Sequence, residues 1–200
     1  MKFLELNKKR HAVKHFNAKK VDYNDLRTAI EIATLAPSAH NIQPWKFVVV
    51  KERKQQLAEV MYGGNKDQAQ EAQYVIVIFS DTDLPKRSRK IARNGVKILS
   101  DDTLSRYMQS YPTMFQQFSP QVTSDYLALN IGLVTMNLVL ALTDQGLASN
   151  IFLGFDKTKV NEVLEIDRRF RPEVLVTVGY SDEKTEPSYR LPVDDIMEVR

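Results

Sequence analysis

Short apolar runs rich in valine alternate along the chain with longer stretches of mixed polarity. Three of these runs, residues 45–50, 74–79 and 174–180, are compact and rich in β-branched side chains, as buried strands are. The pattern therefore predicts strands at these three places.

Amphipathic spacing predicts helices around these strands. Asp22 is placed to cap a helix that Pro37 ends. The apolar face of that helix holds Leu26, Ile30, Ala33 and Ala36. Further helical patterns cover residues 52–62, two stretches within 85–117, residues 119–143 and a short segment capped by Asp156. Together these elements predict an α+β sandwich with a central mixed sheet flanked by helices.

The pattern of residues 119–143 is apolar on nearly every side, so this helix must be buried on more than one face. A membrane span is the alternative, but Asn130, Thr135 and Asn137 interrupt the run and no basic cluster flanks it. We expect a central helix shared with a second subunit, and no membrane partner.

Composition narrows the class of protein. The 200 residues, 43% hydrophobic and 26% charged, fit one globular domain covering residues 1–200. Cysteine is absent, which excludes disulfides and thiolate chemistry, and the N-terminus lacks the apolar core of a signal peptide. We therefore expect a cytoplasmic protein. A net charge of +3 is too mild, and its basic residues too mixed with acids, to predict nucleic-acid binding.

The common catalytic signatures are missing. The chain has no G-x-S-x-G, P-loop, H-E-x-x-H or G-x-G-x-x-G motif, and its 7 glycines favour side-chain cations over a glycine loop for holding a phosphate. The three histidines lie in two separate loops without partnered carboxylates at ligand spacing, so no metal site is predicted. Any redox or group-transfer chemistry would have to come from a cofactor.

Three stretches could carry function, although each could equally be ordinary surface or connecting structure. The first, residues 10–16, would place Arg10, Ala12 and Lys14 on one side of an extended chain. The second, residues 36–45, is a polar loop pinned by two prolines between a helix and a buried strand. The third, residues 187–192, offers Arg190 in a proline-stiffened loop.

Taken together, these stretches resemble the FMN-dependent nitroreductase family. Residues 37–45, Pro-Ser-Ala-His-Asn-Ile-Gln-Pro-Trp, look like the family's P-S-x-x-N-x-Q-P-W signature, and residues 10–16, Arg-His-Ala-Val-Lys-His-Phe, are similar to its R-[HRS]-S-x-[KR]-x-F opening. The resemblance runs in order through nearly the whole chain. It implies the family's sandwich, with a mixed and mainly antiparallel sheet and a long central helix at a dimer interface.

The resemblance also implies how the phosphate end of FMN is bound. Arg10 and His11 would hold the phosphate, Lys14 would face the N1/O2 edge of the flavin, and Arg190 would be a second phosphate ligand from the C-terminal region. Two positions depart from the family pattern, since Ala12 stands where serine is usual and Ser188 where a second cation often is. We expect Arg10 and Arg190 to carry more of the phosphate binding as a result.

The remaining contacts implied by the resemblance surround the ring. Asn65 would bind the pyrimidine edge, with Gln68 in place of a frequent lysine. Backbone N–H groups near Phe152, Leu153 and Gly154 would face N5, with Leu153 in place of the glutamate of some members. A loop from the other subunit would complete the site, so dimerisation would be part of FMN binding. The loop residues are Pro37, Ser38, Ala39, His40, Asn41 and Gln43.

The implied reaction is a ping-pong transfer in which NADH or NADPH reduces the flavin and a small nitroaromatic or quinone-type acceptor reoxidises it. Side chains would bind and tune the flavin, and no general base is required. Two alternatives remain open, namely another reaction on the same fold, such as dehalogenation or ring cleavage, and a flavin-binding or sensing protein without turnover. Residues 85–117 would cover the acceptor pocket or be an ordinary pair of packed helices.

Overall fold

The computed structural model describes residues 2–184 and 186–200, and its centre is a four-stranded sheet. The strands are β1 Trp45–Val50, β2 Tyr74–Asp81, β3 Ala148–Phe152 and β4 Phe170–Gly179, in the order β1-β2-β4-β3. The three strands predicted from sequence are confirmed, with small differences in their ends. β3 was not predicted.

The expectation of a mixed sheet needs correction. Every pair of neighbouring strands in the described sheet is antiparallel, and the one parallel pairing there is an isolated bridge between Ala12 and Ser149. β3 and β4 are antiparallel because the residues between them reverse the chain and contain a single short helix instead of a crossover along the sheet.

Helices cover both faces of this sheet, as the α+β prediction requires. Nine α-helices lie in the described residues: α1 Phe3–Lys9, α2 Tyr23–Ala33, α3 Lys54–Ala58, α4 Asn65–Glu71, α5 Leu84–Gly95, α6 Asp101–Ser105, α7 Tyr111–Gln116, α8 Pro120–Asp144 and α9 Lys157–Leu164. A π-helical segment, Arg106–Ser110, joins α6 to α7. The helix predicted over 52–62 is only the short α3, and α4 was not predicted.

The core has a layer on each side of β2, all of whose residues are buried. Ile76 and Ile78 belong to the layer formed with α2 and α8, whereas Val75, Val77 and Phe79 belong to the layer formed with α3 and α9. This division follows from the period of two along a strand. β2 is therefore the central strand against which both layers are assembled.

α8 begins where the sequence predicts and serves as the core helix of one layer. The Ser119 hydroxyl oxygen accepts from the Val122 N–H and caps the first turn. Gly146, at φ 76°, follows the last turn. The helix is long and apolar enough to cross a membrane. However, 56% of its most apolar 18-residue stretch is buried inside this protein, as in a core helix. The opposite face, at Leu129 and Met136, is exposed.

Candidate functional site

The basic opening segment is extended and fixed to β3. The Val13 N–H donates to the Ser149 carbonyl at 3.1 Å, and Ala12 forms the parallel bridge with Ser149. Val13 is buried while Ala12 and Lys14 on either side are exposed, as an extended chain requires. Further along, the Phe16 ring covers Gly179, where a β-carbon would lie 2.7 Å from the ring. The segment therefore presents alternate side chains to solvent along a rigid edge.

Two peptide N–H groups of this segment bind a carboxylate of the same chain. The N–H groups of Lys14 and His15 donate to the Glu183 carboxylate at 2.9 and 3.1 Å. The hydrogen bond from Lys14 lowers the pKa of Glu183, and that from His15 adds to this effect. A cavity of about 230 Å³ adjoins these groups and is lined by Lys9, His11 and Ser149 among others. The backbone here suits negatively charged oxygen atoms.

Two polar side chains of α4 reach the end of β3. Asn65, the first residue of α4, donates from Nδ2 to the Gly154 carbonyl at 3.1 Å. Gln68 accepts from Asn150 Nδ2 at 2.6 Å. A β-carbon on Gly154 would lie 2.7 Å from Asn65 Nδ2, so only glycine leaves this amide in place.

Three segments far apart in sequence thus meet along β3: the opening segment, the start of α4 and residues 149–154. Among the predicted residues at this end, Phe152 is buried, whereas Leu153 is exposed. Asn150 was missed by the sequence analysis, because β3 itself was missed. Its half-buried position and its bond to Gln68 are visible only when the strand is known.

The C-terminal residues behave differently. Ser188 and Arg190 are exposed, and Arg190 Nη1 donates to the Ser188 and Tyr189 carbonyls of its own segment. The role of Arg190 as a phosphate ligand stays a prediction.

The signature loop lies elsewhere, before β1. Three of its residues, His40, Asn41 and Gln43, have φ of 56°, 48° and 46°, a left-handed conformation that costs free energy for residues other than glycine. The Ser38 hydroxyl accepts from the Gln43 N–H at 3.0 Å and closes the loop on itself. Such a backbone persists only when its surroundings hold it.

Side chains from neighbouring helices hold every carbonyl from residue 39 to residue 43. Tyr126 donates to the Ala39 carbonyl at 2.6 Å. Tyr107 donates to the carbonyls of His40 at 2.9 Å and Asn41 at 3.4 Å. Arg87 donates to those of Ile42 and Gln43. We call Arg87, Tyr107, Tyr126 and Asn130 the loop clamp, since Asn130 also accepts from the Ala39 N–H at 2.8 Å.

The two tyrosines of the loop clamp belong to an aromatic cluster that includes the His40 ring. The His40 ring lies 5.0 Å from that of Tyr111 and 5.9 Å from that of Phe115, both edge-on. Burial raises the pKa of Tyr107, and raises that of Tyr126 strongly, so both hydroxyls remain donors far into the alkaline range. Sequence reasoning missed the clamp. Asn130 gave the one signal, because an amide inside an apolar helix requires a partner.

The two groups of predicted residues lie at opposite edges and opposite ends of the sheet. The loop leads into β1, where Trp45 pairs with Ser80 and Ser80 with Arg171. The opening segment adjoins β3, where Ser149 pairs with Val178. Seven residues of β4 correspond to about 24 Å, and three strand spacings add about 14 Å across the sheet. A single ligand cannot contact both groups of one chain.

Comparison with known proteins identifies the family to which this chain belongs. The family model described as Nitroreductase family matches residues 8–180. The chain belongs to the nitroreductase family and is an oxidoreductase. A Streptococcus pyogenes protein provisionally named as an NAD(P)H nitroreductase is 66% identical over 200 residues, covering 100% of both chains.

Solved structures agree with this assignment. A nitroreductase family protein from Streptococcus pneumoniae superposes with a TM-score of 0.98 at 66% identity and covers 100% of both chains. A protein from Exiguobacterium sibiricum, crystallised in complex with FMN, has a TM-score of 0.92 at 26% identity, covering 100% of this chain and 98% of its own. The predicted fold and family are thereby confirmed.

Proposed function

We propose that this protein is an FMN-dependent oxidoreductase that passes hydride equivalents from NADH or NADPH to nitroaromatic or quinone-type acceptors in a ping-pong reaction. The observation that carries the proposal is the meeting of the opening segment, Asn65 and Gly154 along β3. The FMN complex of the Exiguobacterium relative and the name of the streptococcal relative support the cofactor and the donor.

The chain's own groups fit FMN at this place. Arg10, His11 and the peptide N–H groups of Lys14 and His15 would hold the phosphate, which would replace the Glu183 carboxylate to which these N–H groups donate. Those backbone donors would then compensate for the hydroxyl that Ala12 lacks. FMN, when bound, supplies the capacity to accept and release a hydride.

Side chains of α4 and the Lys14 ammonium would act on the ring. Asn65 and Gln68 would hold its pyrimidine edge, and the lack of a side chain at Gly154 leaves room for the Asn65 amide. Lys14 would place positive charge at the N1/O2 edge, where reduction adds negative charge, and would thereby stabilise the reduced state. The protein's part is binding and electrostatics, with no proton-transferring side chain.

A homodimer completes the site. The exposed side of α8 forms an apolar groove of about 520 Å³, lined by Leu129, Leu133 and Met136 and bordered by Leu35 and Pro37 of the loop region. Pairing two such faces buries this surface and brings each signature loop toward the partner's β3. Each chain would be one domain over residues 1–200, working in the cytoplasm where reduced nicotinamide is available.

An absorbance spectrum of the purified protein tests this function. We expect flavin bands between 300 and 600 nm that bleach under anaerobic addition of NADH or NADPH and return with a nitroaromatic or quinone. Flavin that no nicotinamide bleaches would instead support the flavin-binding or sensing alternative. A colourless protein that refuses added FMN would contradict both.

The phosphate assignment is tested by Arg10→Ala and Arg190→Ala. Each should lower the FMN content of the purified protein while the dimer persists, because one charge-assisted hydrogen bond is lost. FMN released by heat and quantified by fluorescence measures the effect. Arg27→Ala is the control, since Arg27 pairs on the surface with Glu31. Unchanged flavin content in both variants would contradict the assignment.

A further inference from the structure

A second groove lies beside the signature loop and has a different character from the apolar groove of α8. It has a volume of about 410 Å³ and runs between Asn41 and Gln43 on one side and the C-terminal half of α5 on the other. Arg87, Lys90 and Asn94 line its polar part, and the aliphatic side chain of Ile98 lies at its far end. We call this the α5 groove. Its volume is within the range of small-molecule sites.

The α5 groove is cationic, and its charge is unpaired. α5 contains five cations and no acidic residue, and none of the five forms an ion pair within 4.0 Å among the described residues. None of the residues that line the groove is Asp or Glu. A surface of one sign beside a concave wall concentrates anions.

Arg87 and Lys90 contribute in different ways. Arg87 is half-buried and uses two of its donors on the carbonyls of Ile42 and Gln43. Because a guanidinium has about five N–H donors, roughly three remain for a ligand. Lys90, one turn further along α5, is exposed and lines the same groove. The groove therefore offers a ligand the fixed planar guanidinium of Arg87 and the mobile ammonium of Lys90.

We propose that the α5 groove binds the phosphorylated adenosine half of the nicotinamide dinucleotide donor. The inference rests on the proposed function, in which Asn41 and Gln43 border the flavin of the partner subunit. A donor whose nicotinamide lies at that flavin must place its two phosphates nearby, and the chain has no glycine-rich phosphate loop to receive them. Arg87 and Lys90 hold the phosphates, while Ile91, Ile98 and Leu99 face the adenine. Uncharged nitroaromatics and quinones would leave both cations without a partner.

Substitution of Lys90 tests the contribution of the phosphorylated adenosine half to flavin reduction, apart from that of the nicotinamide. In anaerobic stopped-flow reduction of the flavin, Lys90→Gln should lower the second-order rate constant with the preferred dinucleotide by about three- to five-fold, the effect of one exposed charge contact. Lys90→Glu should lower it further. Neither change should alter the rate constant with reduced nicotinamide riboside, which lacks both phosphates and the adenosine. Arg93→Gln is the control, because Arg93 is an exposed cation of α5 that does not line the groove.

Direct binding gives a readout that is independent of turnover. ADP-ribose titrated into the purified dimer by calorimetry should bind, compete with the dinucleotide, and bind more weakly to Lys90→Glu than to Arg93→Gln. Equal losses with the dinucleotide and the riboside, an effect of Lys90 confined to a charged acceptor such as nitrobenzoate, or unchanged ADP-ribose binding in Lys90→Glu would each overturn the inference. If the protein holds no flavin, the proposed function fails, and the calorimetric result still decides whether this groove binds the nucleotide.

Discussion

Asn65 and Gly154 show how a site depends on the absence of a single atom. The Asn65 amide donates to the Gly154 carbonyl, and its nitrogen occupies the space in which a β-carbon of residue 154 would lie. The position of the amide is therefore set by glycine as much as by asparagine. The proposed role of Asn65 at the pyrimidine edge of FMN makes that position measurable.

Gly154→Ala should weaken FMN binding by about five-fold, the effect of one displaced hydrogen-bonding group. Folding stability should change little, since the atom met by the new methyl group is the end of a flexible side chain. FMN titration followed by flavin fluorescence measures the affinity. In an Asn65→Ala background the same methyl group should have no further effect. An equal loss in both backgrounds would show that the methyl group acts elsewhere.

At the scale of elements, the π-helical segment between α6 and α7 positions Tyr107 of the loop clamp. The buried Ser88 hydroxyl donates to the Tyr107 carbonyl at 2.6 Å and so satisfies one of the carbonyls in this irregular turn. The Tyr107 side chain then reaches the carbonyls of His40 and Asn41. Residues 85–117 were expected either to cover the acceptor pocket or to be packed helices. The structure gives them a further role in holding the signature loop.

Tyr107→Phe should lower the free energy of unfolding by about 1 kcal/mol, because the ring remains and the hydroxyl donor is lost. Amide hydrogen exchange at residues 41–43 should become faster than elsewhere. Tyr111→Phe removes the same atom from a neighbouring ring whose hydroxyl makes no hydrogen bond among the described residues, so it serves as the matched control. If the two variants have the same urea midpoint, the Tyr107 hydroxyl does not hold the loop.

Elements with strong periodic patterns were predictable from the sequence, and those without were not. α8 and the three valine-rich strands have long or compact apolar patterns. β3 reads Ala-Ser-Asn-Ile-Phe, and its Ile151 is 41% exposed, so neither burial nor alternation marks it as a strand. α4 is polar on nearly every side and buries only Ala69. Its existence depends on tertiary contacts, which a local pattern does not contain.

The residues of the candidate site also fall into those that the sequence predicted and those that it did not. The residues of the opening segment and signature loop were found by resemblance, whereas Asn150, Arg87 and Tyr107 were not. These three act through backbone groups or partners that lie at least 40 residues away in sequence. Such pairs follow from topology, so no spacing along the chain could reveal them. The roles assigned to Ser188 and Arg190 stay a prediction, because the bonds of Arg190 in the described residues are to carbonyls of its own segment.

At the scale of the whole molecule, the exposed apolar face of α8 and the separation of the signature loop from the opening segment both support the proposed homodimer. Leu129→Glu, at a position 63% exposed within the apolar groove, should therefore produce monomers by light scattering at micromolar concentration. FMN content should fall in parallel. Val122→Glu places the same charge at an exposed apolar position of α8 outside the groove and should remain dimeric. Dimers of unchanged flavin content in both variants would contradict the arrangement.

The central position of β2 also has a consequence during translation, because β2 is made well before one of its two neighbouring strands. β2 is complete at Asp81, but its neighbour β4 begins at Phe170, and the layers on both sides of β2 need segments made in between or later. At about 5–20 residues per second, translation leaves this apolar strand without its second neighbour for roughly 4 to 18 s. During that interval the nascent chain exposes Val75, Ile76, Val77 and Ile78. Chaperone binding to this stretch is therefore to be expected on the ribosome, before any cofactor or partner subunit can stabilise the fold.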